Sequence, residues 1–295
     1  MIEPTQAGSP ATIAAGVTTV GAALATAAAA GISRLDSHLL LADLLDCRRT
    51  WLLVHDDALL DELQTVAWAD RVRRRSDAEP LAYILQRKEF FGLMLRVSPS
   101  VLVPRPDTET LVTWALEIIN QDSKLTESSR LVDLGTGSGA IALALKKTRP
   151  DIEVCAVEAS EAALDVARHN GQHLGLDVKW CVGDWWAGAG DGLFDLAVSN
   201  PPYISEGDPH LPALRHEPKL ALVAADDGMA ALKAIIQGAE PHLRAGAWLL
   251  LEHGYQQSTA VAALLAQAGF VGVQTRADLA GQPRCTAGQW PGRET

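Results

Sequence analysis

The chain has 295 residues, 48% of them hydrophobic and 21% charged, proportions that suit a globular protein of one large domain or two. Its formal net charge of −11 is opposite in sign to the basic surface through which proteins grip phosphates, so direct nucleic-acid binding is not expected. The four cysteines, Cys47, Cys155, Cys181 and Cys285, are far apart with no CxxC pair, which points to reduced core thiols in a cytoplasmic protein rather than a disulfide framework or a metal site.

Residues 1–32 are rich in Ala, Thr and Gly. They lack the basic start of a secretory signal, with Glu3 where a cation would be expected, and the Ala22–Ala30 run is too short to cross a bilayer. They read as an N-terminal extension leading into a first helix, and no membrane association is expected. Residues 33–87 read as a small helical domain. Leu35, Leu39, Ala42 and Leu45 recur at helical spacing, Thr50–Val54 is a short apolar segment, and Asp57–Arg75 is a longer helix before Pro80 breaks the pattern. Arg71, Arg73, Arg74 and Arg75 crowd the end of that helix. Cations there suit the macrodipole, and a docking patch for an acidic or RNA-like partner is the alternative.

Residues 88–103 alternate apolar and polar positions around Gly92, as in a β-hairpin, and are expected to link two domains. Pro104-Arg105-Pro106-Asp107-Thr108-Glu109 then turns into a helix whose buried stripe is Leu111, Trp114, Ala115 and Ile118. From there the second domain, residues 104–295, alternates strand and helix. Strands are expected at Leu131–Leu134, Glu153–Val157, Val178–Val182, Phe194–Val198, Ala247–Leu251, Val271–Thr275 and about Arg284–Trp290. This alternation predicts an α/β fold with a seven-stranded, mostly parallel sheet covered by helices on both faces. Ligands of such sheets bind at the carboxyl ends of the strands.

The chemistry-bearing residues fall at those ends. Gly135-Thr136-Gly137-Ser138-Gly139 closes the first strand, and its glycines allow a tight turn and close approach to a ligand. Glu158 ends the second strand, twenty-three positions after Gly135, where it can accept hydrogen bonds from ribose hydroxyls. Asp184 and Trp185 follow the third, a carboxylate for an exocyclic amine and a ring to stack on adenine; of the adjacent Trp185 and Trp186 only one can face the ligand, and Trp185 is expected to. Asn200-Pro201-Pro202-Tyr203 follows the fourth. Its two prolines fix the backbone and leave carbonyls without local donors, so the loop can hold a planar –NH2 group. The G-x-G-x-G spacing departs from the dinucleotide fingerprint, and S-adenosyl-L-methionine, which has no phosphate, fits better than a nicotinamide.

Val132-Asp133-Leu134-Gly135-Thr136-Gly137-Ser138-Gly139-Ala140-Ile141-Ala142 resembles motif I of class I (Rossmann-like) S-adenosylmethionine-dependent methyltransferases, and Asn200-Pro201-Pro202-Tyr203 resembles their amino-methylating signature. With Glu89-Phe90-Phe91-Gly92, Pro104–Glu109, Leu250-Leu251-Glu252-His253-Gly254 and the helical domain, the chain resembles the peptide chain release factor N5-glutamine methyltransferase family from about Ser33 to Trp290. Glu158 departs from the Asp usual in that family.

The resemblance implies transfer of a methyl group to the glutamine of the Gly-Gly-Gln motif in class I peptide chain release factors, in the cytoplasm. A monomer is expected, with the helical domain as the substrate-docking part. Asn200, Pro201 and Tyr203 are the expected catalytic residues and, with Pro202, bind the substrate amide. Gly135, Thr136, Gly137, Ser138, Gly139, Glu158, Trp185 and Asn200 are the expected cofactor residues. The same Asn-Pro-Pro-Tyr loop would hold an adenine amine, so adenine N6-methylation of DNA or RNA is the alternative, and a non-catalytic cofactor-binding module is a third reading. His253 is expected to be structural, His169 and His173 to lie on a solvated helix face, and Glu217-Pro218 and Asp226-Asp227-Gly228 to belong to a loop over the substrate.

Overall fold

The structure, a computed structural model, describes residues 18–121 and 129–292. The chain divides into two compact units, Met1–Leu85 and Gln86–Thr295. The expected extension lies outside the described residues up to position 17.

Among the described residues of the first unit, five helices span Val20–Ala29, Arg34–Leu44, Arg49–Leu52, Glu62–Ser76 and Leu81–Leu85. The first of these departs from the expected boundary at residue 33. Val20, Ala23 and Ala27 fall on one face and are buried with Leu40, Leu41 and Trp68, and the Trp68 indole donates to the Ala23 carbonyl at 3.0 Å. The small alanines permit this close approach, and so part of the Ala-rich stretch is core. The helix expected from Asp57 begins at Glu62 instead. Asp61 and Gln64 form a reciprocal capping box that fixes its start, which leaves Leu59–Leu60 to pair antiparallel with Thr18–Thr19.

The four clustered arginines are each ion-paired within this unit. Arg71 meets Asp43 at 2.8 Å, Arg73 meets Asp70 at 2.6 Å, and Arg75 meets Asp36 at 2.8 Å. Arg74 grips Glu79 through two nitrogens. Their charge is engaged in joining the helix end to its own unit, which favours the structural reading over a free docking patch.

The second unit opens with a hairpin, Arg87–Phe90 paired with Leu93–Arg96. Expected as a linker, it is part of this unit's core, because Phe90, Leu93 and Leu95 are buried against the helix Glu109–Gln121 and the sheet. The strands of the main sheet are β1 (Arg130–Leu134), β2 (Glu153–Glu158), β3 (Lys179–Val182), β4 (Phe194–Ser199), β5 (Leu243–Glu252), β6 (Val271–Ala277) and β7 (Pro283–Gln289). Their order is β6-β7-β5-β4-β1-β2-β3, and only β7 runs antiparallel to its neighbours. Alternate residues face opposite ways. Leu131, Ala156, Leu196 and Leu250 pack with the helices Glu109–Gln121 and Ala140–Thr148, while Val132, Cys155, Ala197 and Leu249 pack with the helices Ala230–Gly238 and Ser258–Gln267. Burial on both faces is why these strands read as continuous apolar runs. This is the seven-stranded, mostly parallel α/β sheet that the alternation of strand and helix predicts. Among the described residues no helix is long and apolar enough to cross a membrane.

Candidate active site

The carboxyl ends of β1 to β4 open into a cavity of about 520 Å³. The β1–β4 junction is fixed from within, since the buried Ser199 hydroxyl donates to the Leu134 carbonyl at 2.6 Å. The next residues along the two strands are Asn200 and Gly135, so this bond places the amide beside the glycine turn. Gly135, Thr136, Gly137, Ser138, Glu158, Asp184, Trp185, Asn200 and Pro202 all contribute to the cavity wall.

The glycine turn depends on two buried polar residues that sequence reading did not single out for the site. Asp133 is fully buried in β1, where its Oδ2 accepts the Thr136 hydroxyl at 2.6 Å and the Ala142 N–H at 3.2 Å. Asn170, also buried, donates to the Ser138 carbonyl at 2.9 Å and exchanges two hydrogen bonds with the Arg96 backbone. The turn is therefore tied to the helix below it and to the hairpin beside it. Gly139 does not reach the cavity. It starts the helix Ala140–Thr148 at φ +83°, packed between Leu143, Trp180 and Ala167.

Glu158 lines the cavity while its carboxylate braces the loops. Oε2 accepts the Gly137 N–H at 2.9 Å and Oε1 accepts the Ser160 N–H at 3.0 Å. The longer acid thus spans both sides of the β2 end and presents its remaining lone pairs to the cavity. The two tryptophans separate as the sequence suggests. Trp185 lies against Gly135, whereas Trp186 is buried beneath, donating to the Ile235 carbonyl at 2.8 Å and stacking on His242.

In the fourth loop, Asn200 and Pro202 line the cavity. The Asn200 Nδ2 donates to the Thr108 hydroxyl oxygen at 3.1 Å. Pro201 and Tyr203 are not part of the wall. Tyr203 packs toward the core with its hydroxyl facing the buried Glu252 carboxyl, and its carbonyl accepts Gln257 Nε2 at 3.1 Å. This anchoring redirects the ring from the expected substrate face to the back of the loop. Of the covering loop, Pro218 lines the cavity. Glu217 is buried and takes the Val103 N–H at 3.1 Å and the Arg105 guanidinium, while Arg105 lines the cavity too. Asp226, Asp227 and Gly228 lie outside the wall, with Gly228 close under the Tyr203 carbonyl.

His253 is sealed in the core. Its Nδ1–H donates to the Gly254 carbonyl at 2.9 Å and its Nε2 accepts the Thr286 hydroxyl at 2.7 Å, so neither nitrogen is available as a base. His169 and His173 stack on an exposed helix face. Among the described residues no cluster of His, Cys, Asp or Glu could hold a metal ion.

Burial raises two carboxyls, Asp133 and Glu252, each to about 7. In the unfolded chain both release their protons near about 4. The folded state therefore holds these protons more tightly, and the stability they contribute is lost as pH rises from about 4 through about 7. Asp151, Asp208 and Asp278, lowered mainly by hydrogen bonds, act oppositely at more acid pH. His242 and His253, lowered by burial, act oppositely within the same range. The Asp133 effect is therefore read by difference: calorimetric Tm of Asp133→Asn relative to wild type is expected to rise between pH 5 and pH 8, and a constant difference across that window would contradict the assignment.

Comparison with known proteins fits this geometry. The PrmC N-terminal domain model matches residues 20–85 and the Methyltransferase small domain model matches residues 115–217. A Release factor glutamine methyltransferase from Xylella fastidiosa is 45% identical over 273 residues, covering 92% of this chain and 98% of its own length. One from Burkholderia pseudomallei is 44% identical over 273 residues, covering 90% and 94%. A methyltransferase crystal structure from Pyrococcus furiosus shares the fold, with TM-score 0.52 and 19% identity over 76% of this chain and all of that one. With near-full-length identity of this order and both domains matched, the chain belongs to the release factor glutamine methyltransferase family.

Proposed function

We propose that the chain methylates the side-chain nitrogen (N5) of the glutamine in the Gly-Gly-Gln motif of class I peptide chain release factors, with S-adenosyl-L-methionine as methyl donor. The observation that carries this reading is Asn200 in the cavity wall beside the Gly135 turn, its amide held by Thr108. The donor set fits the cofactor: a turn in which Gly135 and Gly137 carry no Cβ, an aromatic ring at Trp185, and carboxylates at Glu158 and Asp184 suit an adenosine without phosphate. S-adenosylmethionine supplies a sulfonium-bound methyl group.

The chain's part is to prepare the acceptor. An amide nitrogen is a poor nucleophile because its lone pair is delocalised into the carbonyl. The Asn200 Oδ1, in the cavity wall, accepts one N–H of the substrate –NH2, and the Pro201 backbone carbonyl, between the wall residues Asn200 and Pro202, accepts the other as the substrate enters the loop, which favours a pyramidal nitrogen with its lone pair directed into the cavity. Pro202 keeps the loop stiff, and Tyr203, packed against the core and held at its carbonyl by Gln257, supports it from behind. No strong base faces the cavity at this point, and none is required before transfer, because the methylated nitrogen becomes acidic enough to lose its proton to water. Positioning of this kind contributes several kcal/mol, up to about 7–11.

The cavity is built wholly by the second unit, so one copy suffices and the enzyme is read as a cytoplasmic monomer. The helical unit then serves to grip the protein substrate. The net charge of −11 supports a protein partner over nucleic acid. The test offers labelled S-adenosylmethionine and purified release factor, DNA or RNA to the enzyme, with the modified residue mapped by mass spectrometry. Label at the Gly-Gly-Gln glutamine is expected. Label confined to nucleic-acid adenine would replace this reading with N6-methylation, and no transfer would favour a binding module.

A further inference from the structure

Behind Asn200 the Thr108 contact continues into a buried chain of polar groups. Asn200 Nδ2 donates to Thr108 Oγ1 at 3.1 Å, and Thr108 in turn hydrogen-bonds the carboxyl of Glu252. Thr108 is 4% exposed and Glu252 1% exposed. Glu252 ends β5, Thr108 precedes the helix Glu109–Gln121, and Asn200 follows β4. Three separate elements thus converge on one hydroxyl.

A hydroxyl has a single proton. When that proton is given to a carboxylate, the oxygen facing Asn200 has only lone pairs to offer. It can accept from the Asn200 –NH2 group and cannot donate to the Asn200 carbonyl. The amide therefore settles with Nδ2 toward Thr108 and Oδ1 toward the cavity. The opposite orientation would set two lone-pair oxygens against each other and present a donor to the substrate –NH2. We propose that Thr108 and Glu252 are positioning residues that lock the Asn200 side chain with its carbonyl oxygen toward the acceptor amide. This inference deepens the function proposed above and rests on it only for its kinetic consequence.

The groups facing Glu252 are the Thr108 and Tyr203 hydroxyls, the Asp107 carboxylate, the Arg284 guanidinium and the Cys285 thiol. Arg284 is shared with Asp278 at 3.0 Å and Asp107 at 3.3 Å, so it offsets only part of the burial. Burial raises the Glu252 carboxyl to about 7. Protonation weakens its pull on the Thr108 proton and adds a competing donor. The lock is firm above that pH and loosens below it.

The experiment reads the lock directly. In 15N-labelled wild-type protein the Asn200 side-chain –NH2 signals, assigned by their loss in N200A, are expected to exchange slowly with water and to titrate with a midpoint near pH 7. In Thr108→Val exchange is expected to accelerate at least tenfold. In Thr108→Ser it should stay close to wild type. In Glu252→Gln, which keeps an acceptor but no titrating proton, the titration should disappear. Turnover is expected to follow, with kcat about 10–100-fold lower in T108V, restored in T108S, and the cofactor KM little changed. Unchanged Asn200 exchange in T108V would overturn the proposal, as would loss of the lock in T108S or a titration that persists in E252Q. Should E252Q fold poorly, the Thr108 pair decides alone. Failure to find methylated glutamine with wild-type enzyme would count against the proposed substrate and leave the amide signals as the judge of the lock.

Discussion

Asn200→Ala is expected to lower kcat by about 10²–10³-fold, the scale seen when one preorganised polar group is removed from a reacting centre. S-adenosylmethionine affinity, measured by calorimetry, should stay within about twofold. The split follows from where the residue sits. The Ser199–Leu134 hydrogen bond and the two prolines hold the loop without help from the Asn200 side chain. Truncation removes one of the two acceptors proposed for the substrate –NH2 and leaves the Thr108 hydroxyl facing the cavity with a lost partner. The glycine turn and Trp185 stay as they are. Unchanged turnover would sink the proposed mechanism, and a parallel loss of cofactor affinity would show that Asn200 shapes the donor site as well.

The parts of this site that were legible in the sequence are those carried by one strand end at a time. A parallel strand buried on both faces is an apolar run, and its end is marked by the first polar or glycine residues. Gly135, Glu158, Trp185 and Asn200 were each found that way, and all line the cavity. Boundaries failed where the local signal was weak. β5 begins at Leu243 rather than Ala247, because Arg244, Ala245 and Gly246 are exposed or half-buried and the pairing with β4 slips there. The helix Val20–Ala29 was hidden by its alanines, although Val20, Ala23 and Ala27 already have helical spacing and Thr19 caps the N-terminus.

Contacts between distant elements left no local trace. Thr108 and Glu252 are 144 positions apart, and Glu217 pairs with Arg105 across 112. Thr108, Arg105 and Glu252 lie in stretches that the resemblance marked, Pro104–Glu109 and Leu250–Gly254, and Glu217 lies in the loop expected over the substrate, but none of these patterns says which residue touches which. Tyr203 shows the same gap. Its place in the motif suggests a substrate-facing ring, and only the packing around Glu252 shows its hydroxyl turned into the core.

Gly135→Ala is expected to weaken S-adenosylmethionine binding about tenfold or more while kcat at saturating cofactor changes little, the mirror of Asn200→Ala. Two costs combine at this position. The backbone is left-handed, φ +75°, which costs an L-residue roughly 1–2 kcal/mol. An added Cβ also meets the Trp185 ring at 3.0 Å. That ring cannot yield freely, because Trp185 is packed against the buried cluster beneath it. Displacing it reshapes the wall assigned to adenine. Gly137→Ala is the control, since its φ is +56° but nothing lies within 4 Å of the added atom. If the Trp185 contact governs affinity, G137A binds the cofactor several-fold better than G135A. Equal losses in the two variants would mean that backbone strain alone is responsible, and the adenine-facing role of Trp185 would lose its support. Both variants retain Asn200 on Thr108, so any methyl transfer they perform at saturating cofactor should keep the wild-type rate.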